Sequence, residues 1–227
     1  MKASTFGSRA FDFYRKLDAP PVPRGVQVMN PYADARARRY VHSFLDTHYA
    51  DNEKRVLVFG INPGRFGAGV TGITFTDPVA LADECGIENE LPRRRELSSI
   101  FVYAFINRFG GPASFYRRFF LTAVSPLGFT RNGTNYNYYD DRKLARAVTP
   151  FITSTIRQQI DIGGRRDHAI VFGAGENFKF LQRLNDEHGF FGSLAALDHP
   201  RFIMQYRRKK LEHYLARYEE VFAAATG

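Results

Sequence analysis

The stretch VLVFGINPGRFGAG, residues 56–69, constrains this chain more than any other. Val56 to Phe59 are apolar without alternation, the pattern of a strand buried on both faces. Such strands belong to parallel sheets covered by helices. This one runs straight into Gly60, Asn62, Pro63, Gly64, Gly67 and Gly69. A backbone so rich in glycine leaves room for a close approach by another group.

The same alternation continues along the chain. FFLTAVSPLG (119–128), HAIVFGAG (168–175) and LAALDHP (194–200) read as three further strands, the last ending at His199. Helical spacing occupies 8–18, 33–48, 78–90, 97–109, 113–118 and 143–160, a segment from Asn177 to Leu184, and 205–224. In the last of these, Leu211, Leu215, Tyr218 and Phe222 form one stripe. APPVPRGVQVMNP (19–31) reads as a proline-rich connector, and TRNGTNYNYYDD (130–141) as a long polar loop.

Strands alternating with helices predict an α/β fold with three αβα layers around a four-stranded, mainly parallel sheet. With 227 residues and no linker, the expected organisation is a single domain over 1–227, with 1–53 as a helical region packed on it. In open parallel sheets the ligand crevice lies outside the carboxyl ends of the strands. GINPGRFGAG, SPLGFTRNG, FGAGEN and DHPRF all follow strands, so these loops are expected to meet in one cleft.

Composition narrows the occupant of that cleft. The formal net charge is +9 and the pI about 9.8, which suits a polyanion such as nucleic acid and also fits a merely basic protein. A lone cysteine, Cys85, excludes a disulfide framework and a four-cysteine zinc or iron–sulfur site built by this chain alone. A reducing, cytoplasmic setting is expected, because the first 20 residues lack the apolar core of a secretory signal. No apolar run approaches a membrane span. The six histidines show no metal-ligand spacing, so neither metal nor organic cofactor is expected.

The glycine loop fits neither phosphate-binding fingerprint. Its spacing is not G-x-G-x-x-G, Pro63 removes a backbone donor, and no G-K-[ST] follows. FGAGEN (172–177) lacks a third glycine and reads as a tight strand–helix turn. The alternative is that the glycines make room for a flat ring. Asn62 then faces that ring and Phe66 or Phe75 stacks on it, which suits a nucleobase.

GINPGRFGAGVTGITF (60–75) resembles the first motif of the uracil-DNA glycosylase superfamily, and is most similar to its single-strand-selective monofunctional branch. That motif runs G-M-N-P-G-x-F-G and then T-G-x-x-F. Gly60, Asn62, Pro63, Gly64, Phe66, Gly67, Thr71, Gly72 and Phe75 match it in register. DHPRFIMQYRR (198–208) supplies His199 and Pro200 where the superfamily's second motif begins. FFLTAVSPLGF (119–129) resembles the intervening strand, with S-P-L in place of C-P-L.

The resemblance implies a glycosylase fold and a monofunctional DNA glycosylase that removes deaminated bases. Asn62 and His199 are the catalytic pair it implies. Gly60, Ile61, Pro63, Gly64, Phe66, Phe75 and the backbone N–H of Ala68 would surround the base. Ile203, with Phe202 and Met204 beside it, would wedge into the gap left by the flipped nucleotide. Arg201, Arg207, Arg208, Lys209 and Lys210 would neutralise phosphates, with Arg93, Arg94 and Arg95 as a second basic cluster.

Two departures matter. Arg201 and Phe202 follow His-Pro where the family has serine and proline, and Ala123 stands where the family reads the base edge with asparagine. Asn135 and Asn137 are candidates to replace that reader. Uracil, xanthine and hypoxanthine stay open as substrates, as do single- and double-stranded DNA; a monomer is expected. Asp77, before Pro78, reads as a helix N-cap rather than a water activator. The rival readings are a non-catalytic lesion or single-strand binder on the same fold, and a hydrolase of free nucleosides.

Overall fold

In the computed structural model, which describes residues 4–226, the elements follow one another as α1 (Phe6–Arg15), β1 (Val26–Met29), α2 (Ala35–His48), β2 (Arg55–Gly60), α3 (Ala68–Thr71) and α4 (Pro78–Asp83). Then come α5 (Leu97–Arg108), α6 (Gly111–Tyr116), β3 (Phe119–Ala123), β4 (Gly128–Arg131) and β5 (Thr134–Tyr136). The chain closes with α7 (Arg142–Gly163), β6 (Gly164–Phe172), α8 (Glu176–His188), β7 (Ser193–Leu197), α9 (Pro200–Tyr206) and α10 (Leu211–Ala224). Residues 1–3 and 227, part of the expected domain span, lie outside the described residues.

The central sheet is four-stranded and parallel, in the order β3-β2-β6-β7. All six residues of β2 are buried, which explains its unbroken apolar run. The chain leaves β2 for β3 on one side and returns to β6 on the other. That reversal puts the topological switch point at the carboxyl end of β2, where Gly60 and Asn62 stand.

The N-terminal helices are tied to this sheet by polar anchors beneath the aromatic packing. Arg55 opens β2 fully buried, and its guanidinium lies 4.8 Å from the Phe6 ring centroid and 5.2 Å from that of Tyr49. Asp51 closes the charge with a bond of 2.8 Å to Arg55 Nη2. The Tyr49 hydroxyl donates to the Phe119 carbonyl at 3.1 Å, and Arg9 Nε to that of Ile162 at 2.8 Å.

The structure departs from the sequence reading in four places. The polar loop over 130–141 is in part a hairpin: β4 and β5 pair antiparallel, and β1, inside the expected proline-rich connector, pairs with β4. Its two-residue turn, Asn132-Gly133, has positive φ at both positions (50° and 69°), which fits the strand twist. Second, the strand expected over 119–128 ends at Ala123 and passes through Pro126 into the second sheet. Third, the helix expected over 78–90 stops at Asp83, and Gly86 turns with φ 66°. Fourth, the C-terminal helix begins only at Leu211. The residues before it form α9 and a 3-10 turn over Arg208–Lys210.

Candidate active site

The loop after β2, the segment from Arg94 into α5, β5 with the loop after it, and the loop after β7 with α9 line a cavity of about 780 Å³. Of the four loops expected to meet there, 60–69 and 198–202 reach it, whereas 125–133 and 172–177 do not line it. Asn62 and His199 both line it, although 136 residues separate them in sequence. Ala123, Asn135, Asn137 and Phe75 share its wall.

Asn62 is held by the second sheet. Its Nδ2 donates to the carbonyls of Tyr136 and Pro63, each at 3.4 Å, and its Oδ1 accepts from the Tyr138 N–H at 3.2 Å. Two carbonyls on one side and one amide on the other fix which way the side-chain amide faces. The Oδ1 keeps a second lone pair. Behind it stands Asn177, 1% exposed, which the sequence reading missed. Asn177 accepts from the Tyr138 hydroxyl at 2.7 Å and donates to the carbonyls of Phe172 (2.9 Å) and Gly60 (3.3 Å). One side chain thereby joins the ends of β2 and β6 to the segment that holds Asn62.

His199 is the N-cap of α9. Its Nδ1 accepts from the Arg201 N–H at 3.2 Å, so the neutral ring carries its proton on Nε2. Burial, and secondarily the Arg201 charge, pushes its pKa down from 6.5 to about 4. At neutral pH His199 is therefore an uncharged N–H donor in the cavity wall.

The Phe75 ring lies 5.7 Å from the His199 ring and 5.4 Å from Phe172. Phe75 has φ 58°, a left-handed conformation that is rare for an aromatic residue and marks a strained turn. Gly60 is glycine because of this ring: a Cβ there would sit 2.8 Å from Phe75 Cζ. Phe66 lines the cavity, but its ring is clad by Arg94 (3.4 Å from the centroid) and Arg65 (4.7 Å), so cations already lie against it. Gly67 has a different reason again. A Cβ at Gly67 would collide with the carboxylate of Glu96, a cavity residue the sequence reading did not single out.

The model of the uracil DNA glycosylase superfamily matches residues 47–223. The chain belongs to this superfamily. The crystal structure of wild-type Pedobacter heparinus SMUG2 superimposes with a TM-score of 0.95 at 40% sequence identity, covering 98% of each chain. The single-strand selective monofunctional uracil-DNA glycosylase of Rattus norvegicus is 33% identical over 176 residues, 68% of this chain and 60% of that protein. Its Mus musculus counterpart is 32% identical over 128 residues, 48% of this chain and 44% of that protein. The chain thus matches less than two thirds of the length of these two superfamily members.

With the superfamily in hand, the remaining expected residues can be placed. Gly60, Ile61, Pro63, Gly64 and Ala68 line the cavity, and Asn135 Oδ1 accepts from the Arg65 N–H at 3.0 Å. Asn137 lines it too, held to Asp140 through its backbone N–H (2.8 Å) and its Nδ2 (3.2 Å). Asp77 takes the N-cap role: Oδ1 accepts from the Val79 and Ala80 amides at 3.0 and 2.8 Å, and Oδ2 from the Glu96 amide at 2.7 Å.

The wedge expectation needs correction. Ile203 is fully buried and Met204 is 6% exposed, because helix periodicity turns both toward α5 and α10. The exposed apolar pair on α9 is Phe202 (38%) and Tyr206 (61%), four residues apart, with ring centroids 5.5 Å from each other. Arg201, Arg207, Arg208, Lys209 and Lys210 are all exposed. In the other cluster, Arg93 and Arg95 pair with Asp83 while Arg94 covers Phe66. Among the described residues no group of three or more His, Cys, Asp or Glu could hold a metal ion, and no helix is long and apolar enough to cross a membrane.

Proposed function

We propose that this chain is a monofunctional DNA glycosylase, acting as one domain, that removes deaminated bases from DNA and so begins base excision repair. The observation that carries the reading is His199, held neutral with its Nε2–H in the same cavity as Asn62. Sites of about 300–1,000 Å³ suit small-molecule-sized groups, and this cavity falls in that range.

The target C1′ is hidden in stacked DNA, so the nucleotide must leave the stack, at a cost of a few kcal/mol. Phe75 forms the hydrophobic side of the receiving pocket. As the glycosidic bond lengthens, negative charge gathers on the base and positive charge on the sugar. A fixed donor aimed at the developing oxyanion is worth about 10²–10³ in rate. His199 Nε2–H supplies that donor. A neutral imidazole suits the task because it stabilises the anion without handing over its proton. Asn62, whose amide does not titrate, orients the water through the free lone pair of Oδ1. Phe202 and Tyr206 face the duplex and fill or stack against the vacated step, and Arg207, Arg208 and Lys209 meet phosphates.

Base release is tested by alkaline strand cleavage of labelled oligonucleotides carrying uracil, xanthine or hypoxanthine, single-stranded and paired. Cleavage by the wild type, reduced at least about 100-fold in Asn62→Ala and in His199→Ala, is the expected result. DNA binding with no cleavage of any substrate would favour the lesion-binding reading. Activity on free nucleosides with salt-insensitive DNA affinity would favour the nucleoside hydrolase.

A further inference from the structure

Glu96 is the single carboxylate among the described residues lining the cavity. Its position is built rather than incidental. Asp77 fixes the Glu96 backbone by accepting its N–H at 2.7 Å. Glu96 is the N-cap of α5, yet its side chain makes no cap bond to that helix. The carboxyl instead crosses to the glycine loop. Its Oε1 comes within 3.4 Å of where a Gly64 Cβ would stand, and its Oε2 occupies the space a Gly67 Cβ would need. Two glycines of the loop therefore make room for this carboxylate, two and five residues beyond Asn62.

We propose that Glu96 is a further catalytic residue, whose carboxylate accepts the proton of the water that attacks C1′. This rests on the glycosylase reading above. Water that adds to the cationic sugar must give up a proton, and a nearby carboxylate would both take it and face the positive charge. Asn62 cannot take a proton, His199 is committed to the base, and both carboxylate oxygens of Asp77 are occupied by backbone amides.

The step balances. The C1′–N bond breaks with its electron pair going to the base, which His199 stabilises. The water oxygen bonds to C1′ while one water proton passes to Glu96. Glu96 then returns that proton to the base anion or to solvent, and the carboxylate is restored.

The groups around Glu96 favour its holding a proton more than an exposed carboxylate would. Burial and the neighbouring Asp77 hold its carboxyl above the usual carboxylate range; Arg201, the Phe66 N–H and Arg94 oppose them. Asn135 Nδ2 borders the same Gly64 position from β5.

The test compares wild type, Glu96→Gln and Glu96→Asp in single-turnover excision of a uracil oligonucleotide, with DNA affinity and thermal midpoint measured on each. Glu96→Gln is expected to slow the chemical step about 10²–10⁴-fold with DNA affinity retained within about threefold, and Glu96→Asp to recover part of the loss. The wild-type rate is expected to fall as pH drops through the Glu96 pKa, and that limb to vanish in Glu96→Gln. A Glu96→Gln protein that excises within about threefold of wild type, or whose loss lies only in DNA affinity or folding, overturns the proposal. An inactive wild type would instead overturn the glycosylase reading, and this inference with it.

Discussion

Replacing Asn177 by alanine removes a buried residue whose three hydrogen bonds join two strand ends to the segment holding Asn62. The Gly60 carbonyl keeps a second partner, the Val124 N–H at 3.0 Å. The Phe172 carbonyl and the Tyr138 hydroxyl lose theirs. A buried polar group deprived of its partner costs about 1–3 kcal/mol, so the expected destabilisation is about 2–4 kcal/mol. For a chain of this size that lowers Tm by about 5–15 °C. The assay is urea unfolding of wild type, Asn177→Ala, Tyr138→Phe and the double variant. Tyr138→Phe deletes the donor that Asn177→Ala strands, so the two losses should overlap by about 1 kcal/mol. Losses that add within about 0.5 kcal/mol would refute the linked network. Excision by Asn177→Ala should fall as well, because the Tyr138 amide that orients Asn62 is no longer anchored.

Three further outcomes are expected. NMR titration should find His199 protonating near pH 4, and Arg201→Gln should raise that value because the Arg201 charge is its second cause. Since the unfolded chain takes up this proton near 6.5, folding stability should decline between pH 6.5 and 4, by about 3 kcal/mol for His199; His48, pushed to about 4 by burial, acts in the same window and direction. A stability flat over that interval would contradict both assignments. Phe202→Ala with Tyr206→Ala should weaken binding to lesion-containing duplex with little effect on Tm, whereas Ile203→Ala should cost about 2–5 kcal/mol of stability, as buried aliphatic truncations do. The reverse pattern would restore Ile203 as the wedge.

Much of the parallel sheet was legible because β2 and β3 are buried throughout, as are the last four residues of β6, and their apolar runs are nearly unbroken. β7, at the sheet edge, is mostly half-buried and was read from its short apolar run alone. The loops at their carboxyl ends follow from that topology, and the structure brings Asn62 and His199 to one cavity. The second sheet was hidden because its strands are short and half exposed, and β1 lies among prolines. Its signal was present all the same: Asn132-Gly133 between Thr130 and Asn135 is a two-residue hairpin turn. The wedge went astray because DHPRF was read as a loop after the strand, whereas residues 200–206 form α9, whose packing on α5 turns Ile203 inward. Glu96 and Asn177 carry no local pattern. Their roles come from contacts across 29 and 39 residues of sequence, to Gly67 and Tyr138.

The central claim is that His199 and Asn62 together break the glycosidic bond of a flipped deaminated base. Its most direct test is the single-turnover release of uracil at saturating enzyme by wild type, Asn62→Ala, His199→Ala and the double variant. DNA affinity is followed in parallel. The account predicts release by the wild type and a loss of about 10²–10³-fold in each single variant, with DNA still bound. Release unchanged in His199→Ala would contradict it.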